Sequence, residues 1–189
     1  MLVGWVERLL HRVYGTRKEA LFGPLRGRVL DIGAGTGVNR RYLAPGVEWL
    51  PLEPEPRLHR YLRAKDPAAT ILAARAEEIP LPDASVDAVI GSLVLCSVDD
   101  PARVLGEIRR VLKPQGVFAF VEHVAAPPGS RERWWQDRVQ TVWSRVCGGC
   151  CPNRETLASV GAAGFVGETE RFRVRLPLVG PHVAGKVAR

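Results

Sequence analysis

Apolar residues near the start of the chain recur at the spacing of an α-helix. They are Leu2, Val6, Leu9 and Val13. Leu10 lies beside this face and Arg8, His11 and Arg12 lie away from it, so the pattern over residues 2–13 predicts an amphipathic helix. Gly23-Pro24 then interrupts the chain. We therefore treat residues 1–22 as an N-terminal helical segment and residues 23–189 as one domain, a size typical of a single hydrophobic core.

Short apolar runs alternate with helical patterns through the middle of the chain. The predicted strands are residues 28–32, 47–52, 70–73, 86–95 and 117–124. One intervening helix is well defined, because Asp99 or Asp100 can cap its start and Pro101 suits its first turn. Strands that alternate with helices predict a parallel sheet with both faces covered.

The C-terminal part departs from this alternation. We predict helices over residues 131–146 and 156–163, followed by strands over residues 168–175 and 183–189. Two consecutive strands with a short connection pair in antiparallel fashion. The predicted fold class is therefore α/β, a doubly wound seven-stranded sheet that is mostly parallel with an antiparallel edge.

A glycine-rich turn follows the first predicted strand, in the run Val29-Leu-Asp-Ile-Gly33-Ala-Gly35-Thr-Gly37. A dinucleotide-binding fingerprint would need glycine at position 38, where this chain has Val38. The spacing therefore disfavours a site for a pyrophosphate. A loop of this kind, with Asp31 just before it, favours a ligand with an amino-acid tail, whose ammonium Asp31 can hold directly or through water.

Further candidate residues follow the other strands. Glu53 ends the second strand, where doubly wound folds place an acid that binds ribose hydroxyls. Because ligands bind outside the carboxyl ends of parallel strands, these segments should form one nucleoside site. Within it, the backbone of Ala76 and the side chain of Glu77 are candidates to contact adenine. The predicted cofactor-binding residues are Asp31, Gly33, Ala34, Gly35, Gly37, Asn39, Glu53, Pro54, Ala76, Glu77, Ser92 and Leu93.

The four cysteines do not form a recognisable metal motif. Cys147, Cys150 and Cys151 are clustered, but a zinc site usually has four ligands in two spaced pairs, and the next histidine is the distant His182. We therefore predict no metal. A redox pair of Cys147 and Cys150 stays open, and Cys96 is interpreted as a small packing residue.

Charge and hydropathy bear on the partners. The net charge is +7, but the basic residues are spread along the chain without a dense run. This distribution favours a solvated basic surface over a nucleic-acid site, so we expect no nucleic-acid partner. We see neither a secretory signal pattern nor an apolar run long enough to span a bilayer, and we expect a cytoplasmic protein with at most peripheral membrane contact.

The run from Val29 to Val124 resembles the class I S-adenosylmethionine-dependent methyltransferases. It has their glycine loop, an acid after the second strand, and the Leu112-Lys-Pro-Gln-Gly116 turn, although these proteins usually have a second glycine where the glutamine stands. A narrower resemblance points to the methyltransferase-like thiol S-methyltransferases. Its motifs are Leu93-Val-Leu-Cys-Ser97-Val98, Glu122-His-Val-Ala-Ala126, Trp134-Trp135-Gln136, Gly149-Cys150, Arg154-Glu155 and Pro181-His182.

The resemblance implies a Rossmann-like enzyme that uses S-adenosyl-L-methionine, releases S-adenosyl-L-homocysteine and methylates a small-molecule acceptor, a thiol in the first instance. Alternatives are a quinone, a phospholipid amine or another small nucleophile, and less favourably RNA. A protein that binds the cofactor without catalysis is a further alternative, because a fold does not guarantee chemistry. The sequence does not define an oligomeric state.

His123 is the candidate catalytic residue. It follows the fifth strand at the edge where the cofactor is expected, so it can accept a proton or orient the acceptor. The alternative is a hydrogen bond to a neighbouring loop. Trp134, Trp135 and Trp143 are candidates to cap an apolar acceptor pocket or, equally, to pack in the core.

The N-terminal helix also departs from the resemblance. The thiol S-methyltransferases have a longer and strongly apolar N-terminal anchor, whereas residues 2–22 are only amphipathic. We interpret this helix first as a lid over the cofactor and, alternatively, as a contact with a membrane surface.

Overall fold

A six-stranded sheet forms the centre of the computed structural model, which describes residues 2–175 and 179–189, with side chains from residue 7 onward. Its strands are β1 (Arg28–Ile32), β2 (Glu48–Leu52), β3 (Val86–Ser92), β4 (Leu112–His123), β5 (Val166–Arg173) and β6 (Pro181–Ala188). The order across the sheet is β2-β1-β3-β4-β6-β5. β2, β1, β3 and β4 are parallel, and β6 is antiparallel to both β4 and β5. The mostly parallel sheet with an antiparallel edge is therefore confirmed.

Residues 70–73, which were predicted to form a strand, do not form a full strand in the described structure. Their pairing is reduced to one bridge between Leu72 and Leu52 on the outer side of β2, with Leu72 N donating to Pro51 O at 2.9 Å. Hydrogen-bonded turns at residues 66–69 and 75–78 lie on either side and leave little extended chain between them. The sheet therefore has six strands and not the predicted seven.

Five α-helices flank the sheet in the described ranges. They are α1 (Leu2–Phe22), α2 (His59–Lys65), α3 (Pro101–Val111), α4 (Arg131–Val146) and α5 (Thr156–Ala162). The Asp100 side chain accepts from Arg103 N and caps α3, as the sequence predicts. α1 continues well beyond residue 13, where the predicted amphipathic pattern ends. Among the described residues, none of the helices is long and apolar enough to cross a membrane.

The two faces of the sheet carry separate apolar cores. Leu30 and Ile32 of β1 pack on one face with residues of α3 and α5, whereas Val29 packs on the other face with Phe22 of α1. Successive residues of a strand point to opposite faces. Asp31 therefore points to the face that α1 covers, and this decides its surroundings.

Candidate active site

The loop after β1 places glycine where other residues would be strained. Gly33, Gly35 and Gly37 have φ values of 58°, 57° and 77°, in the left-handed region that favours glycine. A Cβ atom on Gly33 would also lie 2.5 Å from Cγ2 of Val94, which is too close for any side chain. The glycine loop (residues 33–37) can therefore bring its backbone close to a ligand.

A cleft of about 380 Å³ opens at the carboxyl ends of the parallel strands. Six of the predicted cofactor residues line it, namely Gly33, Glu53, Pro54, Ala76, Glu77 and Leu93. The structure adds Leu52, Ala74, Arg75, Val94, Ser97, Val98 and Gly148, which the sequence analysis did not select. The convergence of separate strand ends on one cleft is the arrangement expected of a doubly wound sheet.

Glu53 connects the end of β2 to the glycine loop. Its carboxylate is buried and accepts hydrogen bonds from Gly35 N at 2.8 Å and from Glu55 N at 3.0 Å. His59 supports this position through a 2.8 Å hydrogen bond between its Nε2 and the carbonyl oxygen of Glu53. The acid is therefore fixed at the wall of the cleft, with one oxygen on the loop.

Asp31 lies behind the glycine loop and does not line the cleft. Its carboxylate is fully buried and accepts from Asn39 Nδ2 at 2.8 Å and from Trp49 Nε1 at 3.1 Å. Burial raises the pKa of Asp31 from 3.8 to about 6, although both hydrogen bonds and the charge of Lys18 oppose this shift. The carboxylate is therefore held in place by protein donors at its position beneath the loop.

The remaining predicted cofactor residues surround the loop without lining the cleft. Ala34 is buried and donates its N–H to Leu52 O at 3.0 Å, and a side chain on Gly37 would crowd Trp49. Ser92 is partly buried at the end of β3. These residues shape the loop and its support.

Lys18 is a buried residue of this region that the sequence analysis missed. It is 2% exposed, and its Nζ donates to Asn39 Oδ1 at 2.9 Å, so that Lys18, Asn39 and Asp31 form a chain of hydrogen bonds. Burial lowers the pKa of Lys18 to about 8, against the attraction of Asp31. The only hint in the sequence is a lysine in the helical segment between Val13 and the break at residue 23.

α1 also reaches the outer side of the glycine loop. Thr36 Oγ1 donates to Glu7 Oε1 at 3.1 Å, and Lys65 Nζ donates to Glu7 Oε2 at 2.9 Å. Further along the helix, His11 Nδ1 lies 2.8 Å from the hydroxyl of Tyr42. α1 thus bridges the loop and the elements that follow it.

Glu122 shapes the other side of the cleft. It is fully buried at the end of β4, and one carboxylate oxygen accepts from Val94 N at 2.8 Å and from Leu95 N at 3.0 Å. Burial raises the pKa of Glu122, and these backbone hydrogen bonds oppose the shift. Leu93, which has a φ of 57°, begins this loop directly after β3. The carboxylate therefore fixes the loop over residues 93–98, which lines the cleft.

His123 lies next to Glu122 and contacts a cysteine. Its ring is buried, its Nε2 lies 2.8 Å from Cys150 Sγ, and its Nδ1 has no hydrogen-bond partner among the described residues. Trp143 Nε1 also donates to Cys150 Sγ, at 3.3 Å. Hydrogen bonding by the nearby Cys96 thiol lowers the pKa of Cys150, and His123 acts in the same direction, while burial opposes both.

The segment that carries Cys150 is fastened to the loop over residues 93–98. Cys151 N donates to Cys96 O at 2.8 Å, and the guanidinium of Arg154 donates to the carbonyls of Leu95 at 3.1 Å and Val98 at 2.7 Å. Sequence spacing gives no indication of these contacts, because the partners lie more than fifty positions apart.

The three tryptophans of α4 have different surroundings. Trp143 contacts Cys150, whereas Trp134 and Trp135 are 48% and 49% exposed and pack edge to face on each other. Neither of these two is a core residue. His182 accepts from the Tyr14 hydroxyl at 2.8 Å and bonds Gly180 O at 3.1 Å, so it links α1 to β6.

The geometry suits a nucleoside as ligand. Gly33 faces the cleft wall at a position where a Cβ would meet Val94, and a fixed acid stands at the end of β2. A glycine loop, an acid and a cleft at the carboxyl edge of a doubly wound sheet form a nucleoside site. It is the kind of site expected of the class I S-adenosylmethionine-dependent methyltransferases that the sequence resembles.

Comparisons with known proteins agree with this class. Residues 30–120 match the family described as "Methyltransferase domain". Human thiol S-methyltransferase TMT1B is 35% identical over 95% of this chain and 81% of its own length, and human TMT1A is 33% identical over 83% and 68%. A SAM-dependent methyltransferase structure from Thermotoga maritima has a TM-score of 0.70 at 23% identity, covering 98% of this chain and 95% of that one. The chain belongs to the S-adenosylmethionine-dependent methyltransferase family, in the group that includes these thiol S-methyltransferases.

Proposed function

We propose that this enzyme transfers the methyl group of S-adenosylmethionine to a small-molecule thiol. The observation that carries the proposal is the 35% identity to a thiol S-methyltransferase over 95% of the chain. A similarity of that extent includes the internal segment over residues 122–154, of which Gly148 lines the cleft. The similarity to that relative therefore extends beyond the glycine loop and the acid after β2, to the part of the chain that we assign to the acceptor.

The cofactor would lie in the cleft, with the glycine loop along one wall. We assign the ribose hydroxyls to Glu53 and the adenine to Ala76 and Glu77. Because Asp31 lies behind the glycine loop, we assign the ammonium to it through water rather than by direct contact. The cofactor supplies a methyl group on a positively charged sulfur, which a nucleophile displaces. The protein then has to align the two reactants and exclude water, and such alignment is worth roughly 7–11 kcal/mol.

We assign His123 to the acceptor side. It is buried beside the loop over residues 93–98, whose members Leu93 and Ser97 line the cleft. Its Nδ1 lacks a partner among the described residues, which is an unusual state for a buried ring nitrogen and leaves it available to an acceptor. Since a free thiol has a pKa of about 8.5, a modest contribution from His123 suffices to supply thiolate near neutral pH.

A panel of acceptors tests the proposed function. Purified enzyme with S-adenosylmethionine should convert alkyl thiols to methyl thioethers and release S-adenosylhomocysteine. We expect a rate at least about tenfold higher than with amines, quinones, phospholipid amines or RNA, because a thiolate is the best nucleophile of the set near neutral pH. Mass spectrometry of the products measures this. Methylation of one of the other acceptors in preference to every thiol would refute the thiol assignment.

The position of α1 supports its role as a lid over the cofactor. Deleting residues 1–14 removes the contacts of Glu7 with Thr36 and Lys65. We expect the affinity for S-adenosylhomocysteine in calorimetry to fall by about tenfold, and Glu7→Ala alone to cause a smaller loss. Arg8→Ala is the matched control, because Arg8 is the next residue of the helix and is exposed. Unchanged affinity in both test variants would exclude the lid.

A further inference from the structure

Three side chains from distant parts of the chain place metal-binding atoms together. Cys96 lies in the loop after β3, His123 ends β4 and Cys150 follows α4. One ligand atom from each lies within 4.8 Å of the other two, and His123 Nε2 is 2.8 Å from Cys150 Sγ. We call these three residues the Cys-His-Cys cluster.

The spacing of these atoms suits a zinc ion. Zinc binds thiolate sulfur at about 2.3 Å and imidazole nitrogen at about 2.0 Å in tetrahedral geometry, which separates neighbouring ligand atoms by about 3.5–3.8 Å. The separations in the cluster, from 2.8 Å to at most 4.8 Å, lie on either side of this range. Cys150 is only partly buried, so a small rotation of its side chain can adjust both distances.

The backbone around the cluster is fixed by contacts that do not involve its three ligand atoms. Glu122 accepts backbone hydrogen bonds from the loop that carries Cys96. Cys151 N donates to Cys96 O, and Arg154 binds two carbonyls of the same loop. The cysteines are thus held near each other as free thiols, which is the preorganisation that a metal site needs.

The cluster lies beside the cofactor cleft. Ser97, the neighbour of Cys96, lines the cleft, and its Oγ is 3.4 Å from Cys96 Sγ. Gly148, two residues before Cys150, lines it as well. Three protein ligands with a fourth position left for substrate is the composition of catalytic rather than structural zinc sites.

We propose that Cys96, His123 and Cys150 bind a Zn²⁺ ion and that the acceptor thiol occupies the fourth coordination position as a thiolate. This inference rests on the proposed function. The acceptor loses its proton to solvent on binding the metal. Its sulfur then forms the bond to the methyl carbon, while the bond between that carbon and the cofactor sulfur breaks. The electron pair of the broken bond stays on the cofactor sulfur, which becomes a neutral thioether.

Metal binding can be measured without turnover. Enzyme prepared with reduced thiols and stripped by a chelator should bind one Zn²⁺ or Co²⁺ per chain, with the charge-transfer absorption of cobalt bound to thiolate. Cys96→Ser, Cys150→Ser and His123→Ala should each lower zinc affinity by about a hundredfold, since each removes one of only three ligands. Cys147→Ser is the matched control, because Cys147 is exposed and outside the cluster. Absence of stoichiometric binding, or an equal loss in Cys147→Ser, overturns the site.

The acceptor's place on the metal has its own readout. Adding an alkyl thiol to the cobalt-loaded enzyme should shift the cobalt spectrum, and this shift should be absent with the corresponding alcohol. A spectrum that does not respond to the thiol overturns acceptor coordination. Stoichiometric metal binding in an enzyme that methylates no thiol contradicts the proposed function instead, so the two failures are distinguishable. Full thiol methylation by metal-free enzyme would overturn the zinc proposal and leave the proposed function standing.

Discussion

Neutralising Asp31 and Glu53 together, as Asp31→Asn and Glu53→Gln, is expected to weaken the binding of S-adenosylhomocysteine by about a thousandfold. A hydrogen bond to a charged group contributes roughly 1.5–3 kcal/mol, and the double variant removes one charge at each end of the ligand. Glu53→Gln also weakens the bond to Gly35 N that shapes the glycine loop. Titration calorimetry of the double variant measures the loss.

The pH dependence separates the two acids. Burial raises the pKa of Asp31 to about 6, so its carboxylate is ionised at pH 7 and mostly protonated at pH 5 in the free enzyme. A ligand ammonium prefers the ionised form, so affinity should fall as pH drops through about 6, by up to tenfold per pH unit. The Glu53→Gln variant should keep this dependence, whereas Asp31→Asn should lose it.

Glu48→Gln is the matched control for these variants. Glu48 is the first residue of β2, whereas Glu53 directly follows its last residue. Glu48 is exposed and forms an ion pair with Arg28. The control should bind the ligand as the unmodified protein does, and thermal unfolding should show that all variants are folded. If the double variant retains full affinity, the assignment of both acids is wrong.

The cleft that we assign to the nucleoside was predictable because it depends on local sequence and on one rule of topology. The glycine spacing of residues 33–37 identifies the turn, and the rule that parallel strands end at one edge brings Glu53 and Ala76 to it. The structure places Gly33, Glu53 and Ala76 in one cleft. The fold class follows from the same alternation of strands and helices.

Asp31 shows where that reasoning loses detail. The sequence places it directly before the loop, but its surroundings depend on which face of the sheet it points to. Val29 packs on the face that α1 covers, and the period of two in a strand places Asp31 there as well, beneath Asn39 and Trp49. Asp31 is buried because the second half of α1, which carries Lys18, packs over it. The periodic pattern over residues 2–13 did not predict this half of the helix.

The side that we assign to the acceptor was least predictable. Cys96 and Cys150 are 54 positions apart, and no spacing rule links them. They meet because β3 and β4 end at the same edge and because the chain after α4 returns over the loop that Glu122 holds. Ligand counting along the sequence considered only the cysteines near residue 150, so the proximity of Cys96 and His123 to Cys150 became visible only in the folded chain.

His123→Ala is expected to lower kcat/KM for alkyl thiols by about a hundredfold while leaving the affinity for S-adenosylhomocysteine unchanged. The imidazole contacts Cys150 and lies on the acceptor side, away from the acids assigned to the cofactor. Its contribution is to help form or hold a thiolate, and proton transfer of this kind is worth about 10²–10⁴ in rate.

Thiols of graded acidity provide the control within the same variant. An aryl thiol that is already ionised at neutral pH needs little help, so its rate should fall much less than that of an alkyl thiol. Steady-state kinetics across such a series gives the dependence of the loss on acceptor pKa. A uniform loss for all thiols would mean that His123 only maintains the shape of the pocket. A role in thiolate formation requires a larger loss of rate with the less acidic thiols. This holds whether His123 acts on the acceptor directly or through a metal ion bound with Cys96 and Cys150.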